Sequence, residues 1–267
     1  MRPMRTEERG YGKIIDPTIS RGDMTIYKAN PGQASYGEAM GILLLDSFAP
    51  FIPGDVANAT TYDFPVRFKK VPGLTTKRVL GKDPTAFEPL LAAAEELAGQ
   101  GVRAVTGDCG FLALHQRRLA AQLEIPVFLS SLLQIPFISS IIGPSQRVGI
   151  IAADSRGIDE TLLLAAGVEM TEKLVIGGME DQRAFSEAVI EERGILDSEE
   201  IEEATVSVAR EMVEEDPAVG ALLLECSCLP PYGRSVQEAV GLPVFDYVTM
   251  INCVHSAHVQ RRFEGVM

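Results

Sequence analysis

The two halves of the chain repeat the same order of strand-like segments. The matching segments are residues 41–47 with 149–155, at an offset of 108, and residues 102–109 with 219–226 and 126–128 with 243–245, both at an offset of 117. Shared Val, Ile and Gly content is the alternative explanation, but three matches in one order argue against it. Self-similarity of this kind indicates a repeated structural unit. The sequence therefore predicts two similar halves that divide near Gly143 and Pro144.

Short apolar runs alternate with helical patterns in both halves. Residues 41–45, 102–106 and 125–129 have the apolar character of strands that are buried on both faces. Apolar side chains recur at helical spacing over residues 90–98 and again over residues 201–212. This alternation predicts an α/β fold, with two pseudo-symmetric parallel-sheet domains and an active-site cleft between them.

The repeat also divides the chain into segments. We expect an N-terminal arm of low structural content over residues 1–37. The first α/β domain is predicted to cover residues 38–143, and the second residues 144–247. Residues 248–267 are expected to form a helix that packs back on the first domain.

Composition excludes several classes of function. The chain has 267 residues, of which 46% are hydrophobic, and a net charge of −13 with a pI near 4.8. This acidity argues against binding to nucleic acids or to anionic membrane surfaces. The sequence contains no apolar run of roughly 18 residues that would predict a membrane span, and its N-terminus shows no apolar signal region. We therefore expect a cytoplasmic protein whose four cysteines are reduced thiols.

Two of the four cysteines occupy equivalent positions in the repeat. Cys109 and Cys226 each follow a predicted strand and an acidic residue. Ligands of open parallel sheets bind beyond the carboxyl ends of the strands, so two facing halves would bring both thiols to one cleft. A thiol with an ordinary pKa of about 8.5 can act as acid or base near neutral pH. The pair therefore predicts proton removal on one face of a substrate and proton delivery on the other.

Each cysteine also has a simpler interpretation as a small buried hydrophobe. Asp108 and Glu225, which precede the two cysteines, would raise the thiol pKa values, unless they point to the opposite face of the strand. Cys253 has no counterpart in the repeat and is expected to be structural, whereas the role of Cys228 is left open. No second Cys or His pair stands at metal-ligand spacing, so no metal is expected.

Over residues 40–260 the chain resembles the aspartate/glutamate racemase superfamily. The resemblance rests on the pair Asp46-Ser47, on Cys109, on the pair Cys226-Ser227 and on residues 243–246. Members include aspartate, glutamate and hydantoin racemases, maleate isomerase and arylmalonate decarboxylase. The resemblance implies a fold of two pseudo-symmetric α/β domains, catalysis without pyridoxal phosphate or another cofactor, and a homo-oligomer that is often a dimer.

The repeat and the resemblance together name the site residues. Cys109 and Cys226 are predicted to be catalytic. The residues predicted to bind a small carboxylate or amino-acid-like substrate are Asp46, Ser47, Gly110, Ser130, Ser131, Ser155 and Ser227. Helix capping is an equal alternative for Ser130, Ser131 and Ser155. Gly110 stands where the family usually has Asn, and this departure leaves the identity of the substrate open.

Three functions remain compatible with these residues. The first is racemisation or epimerisation of an amino acid or a related derivative such as a hydantoin, by proton transfer between two cysteines. The second is decarboxylation or cis–trans isomerisation of a dicarboxylate on the same fold. The third is non-catalytic binding of a small molecule, for which a pair of equivalent thiols has no use.

Overall fold

A computed structural model of the chain describes residues 19–21 and 24–267. The strands are β1 Ile19–Arg21, β2 Met24–Ile26, β3 Met40–Leu44, β4 Val66–Lys70, β5 Ala104–Gly107, β6 Val127–Phe128, β7 Arg147–Ala152, β8 Leu174–Gly178, β9 Val219–Leu224 and β10 Val244–Phe245. The α-helices are α1 Thr76–Leu80, α2 Phe87–Gly99, α3 Gln116–Ala120, α4 Ile135–Ile141, α5 Glu160–Ala165, α6 Arg183–Phe185, α7 Ser198–Glu215, α8 Gly233–Val240 and α9 Tyr247–His258.

Short helices of other types fill several connections. The 3-10 helices are Ala59–Thr61, Pro84–Ala86, Gly110–His115, Ser131–Gln134, Ser155–Gly157, Thr171–Lys173 and Pro230–Tyr232. A π-helical turn, Ser186–Ile190, follows α6.

The strands from β3 onward form two parallel sheets of four strands with the same topology. Their strand orders are β4-β3-β5-β6 and β8-β7-β9-β10. Gly41 of β3 lies opposite Val105 of β5, and Gly149 of β7 lies opposite Leu222 of β9. The sequence repeat equates the members of these two pairs, so the repeat is preserved at the level of strand register. The predicted architecture of two pseudo-symmetric parallel α/β domains is confirmed.

The structure adds elements that the sequence patterns did not indicate. β4 and β8 lie at the outer edges of their sheets. β4 carries Arg67, Lys69 and Lys70, and such charged edge strands lack the continuous apolar run by which buried strands are recognised. In the predicted N-terminal arm, β1 and β2 pair antiparallel. Residues 1–18, 22 and 23 of that arm lie outside the described residues.

Each half covers the sheet of the other half with the helix that follows its last strand. Side chains of α4, including Ile135 and Ile138, share a core with Val148 and Ile150 of β7. Reciprocally, Tyr247 and Ile251 of α9 pack in one cluster with Met40 and Ile42 of β3. Side chains alternate between the two faces of a strand, and α2 covers the opposite face of the first sheet. The carboxyl ends of both sheets are thereby held against each other.

Within the described residues, no helix combines the length and the apolar character needed to cross a membrane.

Candidate active site

The chain turns directly after β5, at Asp108-Cys109, and directly after β9, at Glu225-Cys226, and we call these two turns the corners. Equivalent acidic residues hold both of them. After β5, both carboxylate oxygens of Asp108 accept the backbone N–H of Leu45, at 3.1 and 3.0 Å. After β9, the Glu225 carboxylate accepts the N–H of Ala153 at 3.2 Å. Leu45 and Ala153 are themselves equivalent in the repeat, so each acid ties the end of its own strand to the end of the neighbouring strand. Each acid thus has at least one carboxylate oxygen turned toward the end of the neighbouring strand.

The cysteine that follows each acid begins a similar turn. The N–H of Leu112 donates to the carbonyl of Cys109, and the N–H of Leu229 donates to the carbonyl of Cys226, both at 3.1 Å. A 3-10 helix starts at Gly110. After Cys226 the corresponding 3-10 helix starts only at Pro230.

Two serine hydroxyls join the corners to each other. Ser227 Oγ donates to the carbonyl of Asp108, and Ser131 Oγ donates to the carbonyl of Glu225 at 2.9 Å. Both serines are buried. The peptide that precedes each cysteine is therefore held by a side chain from the other half of the molecule, which fixes the positions of the two cysteines relative to each other.

Both cysteines open into one cleft between the halves, with an empty volume of about 470 Å³ that includes open solvent. Three thiols line it, those of Cys109, Cys226 and Cys228. Three hydroxyl-bearing residues, Ser47, Thr76 and Ser227, lie on the same lining.

The remainder of the cleft wall is mostly apolar. Leu45, Phe51, Val189 and Ile190 contribute to it. Among the described residues of the lining, Asp108 is the one acidic side chain, and no Lys, Arg or His occurs there. A ligand in this cleft meets thiols, hydroxyls and apolar groups, and no cationic side chain from the lining.

The thiols lie in different surroundings. Burial is the main cause that raises the pKa of Cys109 well above its ordinary value, and the negative charge of Glu225 is the next. Cys226 Sγ instead accepts a hydrogen bond from the backbone N–H of Cys228 at 3.5 Å. The Cys228 thiol donates toward Cys226, and this contact, followed by burial, raises the pKa of Cys228.

Three buried carboxyl groups surround the thiols. Burial raises the pKa of Asp108 to about 8, against the opposing effect of the Leu45 N–H bonds. It raises the pKa of Glu225 to about 7. Asp55 is 2% exposed, accepts the N–H of Ala57 at 2.7 Å, and has its pKa raised by burial to about 7. All three groups therefore change protonation close to neutral pH.

The structure brings four of the predicted site residues to the cleft. They are Cys109, Cys226, Ser47 and Ser227. Ser131 and Gly110 lie behind the lining, where Ser131 holds the Glu225 carbonyl and Gly110 packs against the Glu225 carboxylate.

The remaining three predicted residues hold local structure and are not part of the described lining. The Asp46 carboxylate bonds to Lys70 Nζ at 2.9 Å and to the N–H of Gly73 at 3.0 Å. Ser130 caps a 3-10 helix by accepting the N–H of Leu132. Ser155 Oγ donates to Glu180.

Sequence reasoning missed several residues of the cleft. Phe51 lies in the connection after β3, and Thr76 begins α1 after β4. No repeat match covers either of them. Val189 and Ile190 belong to the π-helical turn, which has no simple periodicity. The pair Thr75-Thr76 at the start of α1 is a helix-start signal that was available in the sequence, since the Thr75 side chain accepts the N–H of Arg78.

A metal centre has no candidate ligand set in the part of the chain that the structure describes. No three His, Cys, Asp or Glu side chains come together there in a way that could hold an ion.

Relatives of known activity are dimethylsulfoniopropionate lyases. The lyase of Durusdinium sp. clade D is 32% identical over 217 residues, which cover 79% of this chain and 71% of that protein. Dimethylsulfoniopropionate lyase 5 of Emiliania huxleyi is 31% identical over 238 residues, which cover 85% of this chain and 47% of that protein. The chain thus spans about half to seven-tenths of the length of these relatives. No family model matches it.

Solved structures with similar folds come from the superfamily that the sequence resembles. Allantoin racemase from Pseudomonas fluorescens superposes with a TM-score of 0.58 at 16% identity, covering 85% of this chain and 99% of that chain. Aspartate racemase from Picrophilus torridus gives a TM-score of 0.55 at 13% identity, covering 85% and 96%. Likeness at these identities concerns the fold alone. The resemblance to the aspartate/glutamate racemase superfamily is confirmed at that level.

Proposed function

Because the chain belongs to the family of the dimethylsulfoniopropionate lyases, we propose that it is an enzyme that eliminates dimethyl sulfide from dimethylsulfoniopropionate or a close sulfonium analogue. The substrate carries a carboxylate at one end and a sulfonium cation at the other. A base removes a proton from the carbon next to the carboxylate. The electron pair of that bond forms a carbon–carbon double bond as the carbon–sulfur bond breaks, so that dimethyl sulfide and acrylate are released.

The observation that carries this proposal is the composition of the cleft. Cys109 and Cys226 supply thiols that become bases when ionised, while the hydroxyls of Ser47 and Thr76 in the same lining already donate to the Glu192 carboxylate. No basic side chain occurs in the described lining, and Phe51 presents an aromatic ring, a group that attracts ligand cations. A cleft of this kind suits a substrate with a cationic end better than a dicarboxylate, which would call for cationic partners.

A second candidate is two-base racemisation of an amino acid or a related derivative such as a hydantoin. It is favoured by the equivalent positions of Cys109 and Cys226, which reach one cleft from opposite halves. Both reactions begin with removal of a proton next to a carbonyl or carboxylate group. They differ in the role of the second thiol. Elimination needs only one base, whereas racemisation also needs an acid on the opposite face of the substrate.

The experiment is to supply the purified protein with dimethylsulfoniopropionate and to measure dimethyl sulfide in the headspace and acrylate by NMR. We expect both products in equal amounts, with one of Cys109→Ser and Cys226→Ser reducing kcat/KM by at least about 100-fold, the usual contribution of acid–base catalysis. Cys253→Ser is the matched control, because Cys253 is exposed and outside the described lining of the cleft.

A parallel assay in deuterium oxide distinguishes the two candidates. Amino acids and substituted hydantoins are incubated with the protein, and deuterium at the stereocentre is measured together with chirality. If no dimethyl sulfide forms, and if deuterium incorporation is lost equally in both cysteine variants, the reaction is racemisation and not elimination.

A further inference from the structure

The Glu225 carboxylate has one buried oxygen that accepts no hydrogen bond. Oε2 accepts the N–H of Ala153 at 3.2 Å, but Oε1 has no partner among the described residues although the side chain is 1% exposed. Asp108, its counterpart in the repeat, uses both oxygens on the N–H of Leu45. An unpaired buried carboxylate oxygen is costly, so the free lone pairs of Glu225 require an explanation that the strand-end contact does not give.

The free oxygen lies against the residue that follows Cys109. A Cβ atom on Gly110 would stand 1.7 Å from Glu225 Oε1 and 2.5 Å from its carboxyl carbon. The backbone of Gly110 is not left-handed, so conformation does not require glycine at this position. The space that glycine leaves matters instead, because any side chain here would displace the Glu225 carboxylate. The chain thus leaves room beside Cys109 for an acid from the opposite half.

The charge of the Glu225 carboxylate acts on the Cys109 thiol. After burial, the Glu225 carboxylate is the largest cause that raises the pKa of Cys109. The other titratable groups that act on the pair are Cys226 and Asp108, whose charges raise the pKa of Cys109, Asp154, which acts on Glu225, and Tyr247. A neighbouring carboxylate makes the Cys109 thiolate less abundant but more basic, and a more basic thiolate is better suited to remove a weakly acidic C–H proton. Such a thiolate needs a proton acceptor close by in order to form.

We propose that Glu225 is this acceptor: the Cys109 thiol turns to donate to the free Oε1, and the two groups form a proton-sharing dyad in which Cys109 is the base of the reaction. The Glu225 carboxylate takes the thiol proton, giving a neutral carboxyl group and a thiolate. The thiolate then takes the proton next to the substrate carboxylate and becomes a thiol again. Glu225 releases its proton to solvent, which balances the one proton that elimination produces. The catalytic part of this inference rests on the proposed lyase function.

The dyad is tested without any substrate by measuring how fast iodoacetamide alkylates Cys109 between pH 5 and 10, with the Cys109 peptide quantified by mass spectrometry. In the wild type we expect two steps. The first lies near pH 7, where Glu225 ionises and the shared proton leaves a thiolate fraction, and the second lies where the thiol itself ionises. A single step at high pH in the wild type would overturn the dyad.

Glu225→Gln keeps an oxygen for the Ala153 N–H and removes the acid. We expect it to lose the step near pH 7 and to show one thiol step, at lower pH than the upper step of the wild type, because the charge beside Cys109 is gone. Glu225→Asp should restore part of the lower step. Asp108→Asn is the matched control, since its carboxylate is engaged with Leu45 and its charge raises the pKa of Cys109 less than that of Glu225 does. It should keep the step near pH 7 and move the upper step to slightly lower pH.

Gly110→Ala is an independent variant that leaves the acid in the chain but displaces it. We expect it to lose the step near pH 7 as Glu225→Gln does, and persistence of that step in both variants would contradict the proposal. With dimethylsulfoniopropionate, Glu225→Gln should reduce kcat by about 100-fold or more with KM little changed, and should lose the acid limb of the kcat profile near pH 7. If the protein fails to release dimethyl sulfide, the lyase proposal fails while the alkylation curves still decide the dyad.

Discussion

At the scale of single residues, Glu192 joins the two halves beside the cleft. Its backbone is left-handed, with φ of 55°, a conformation that costs a non-glycine residue about 1 kcal/mol. Its Oε1 atom accepts the Ser47 hydroxyl and the Thr76 hydroxyl, both at 2.6 Å. Two short bonds to a carboxylate offset that cost, because charged hydrogen bonds are stronger than neutral ones.

Replacing Glu192 tests the strength of this link. Glu192→Ala should lower the free energy of unfolding by about 1–2 kcal/mol, since it removes two charge-assisted bonds. Glu192→Gln should avoid most of this loss, because its amide oxygen still accepts both hydroxyls. Urea denaturation measures the change. Glu191→Ala is the neighbouring control, because the Glu191 ion pair with Arg193 is largely exposed and is expected to contribute less than about 0.5 kcal/mol. Equal losses at both positions would contradict the link.

At the scale of elements, the two central strands differ in how closely a helix packs on them. A Cβ on Gly149 of β7 would lie 2.5 Å from Met212 of α7 and 2.5 Å from Leu222. A Cβ on the equivalent Gly41 of β3 would lie 3.0 Å from Leu97 of α2 and 3.1 Å from Val102. The second sheet is therefore packed more tightly against its helix at this position than the first.

The variants Gly149→Ala and Gly41→Ala test this difference in helix packing. Gly149→Ala should lower the free energy of unfolding by about 1–3 kcal/mol, the usual cost of overpacking. Gly41→Ala should cost less than about 1 kcal/mol, because smaller shifts suffice and alanine also reduces the entropy of the unfolded chain. Urea midpoints of both variants decide the order, and a larger loss at Gly41 would show that α2, rather than α7, packs more tightly.

The elements also show how far the sequence alone could go. The strands with matching apolar runs and the corners at Cys109 and Cys226 were predictable because the repeat equates them position by position. Thr76 and Phe51 were not, since cleft residues in connections are fixed by how the halves meet and not by local pattern. The contact of Glu225 with Gly110 was also hidden, because it joins residues from different halves.

At the scale of the whole molecule, buried acids set the response to pH. Asp55, Asp108 and Glu225 have pKa values of about 7, 8 and 7 in the folded protein, above their ordinary values near 4. Between these limits the folded chain binds more protons than the unfolded chain, so stability falls as pH rises. The contribution of these groups is complete below their unfolded pKa and is lost as pH passes through about 7 to 8.

Urea midpoints at pH 6.5 and 8.5, at constant ionic strength, measure this effect. We expect a lower midpoint at pH 8.5. Burial lowers the pKa of His115, which acts in the opposite direction, but most of that effect lies at or below the ordinary histidine pKa of about 6.5. Asp55→Asn should reduce the difference between the two midpoints, because it removes one of the three groups while keeping an acceptor for Ala57. A midpoint that rises over this range would contradict the assignment of the three carboxyl groups as buried acids.

The crossed final helices have a consequence for how the two halves depend on each other. Because α4 covers the second sheet and α9 covers the first, each half completes the core of its partner. Two identical copies of one half, placed face to face, would complete each other in the same way. The preserved strand registers show that the two halves are close enough in backbone geometry for this reciprocal completion. In the single chain the two corners differ, since Asp108 and Gly110 of one correspond to Glu225 and Ser227 of the other.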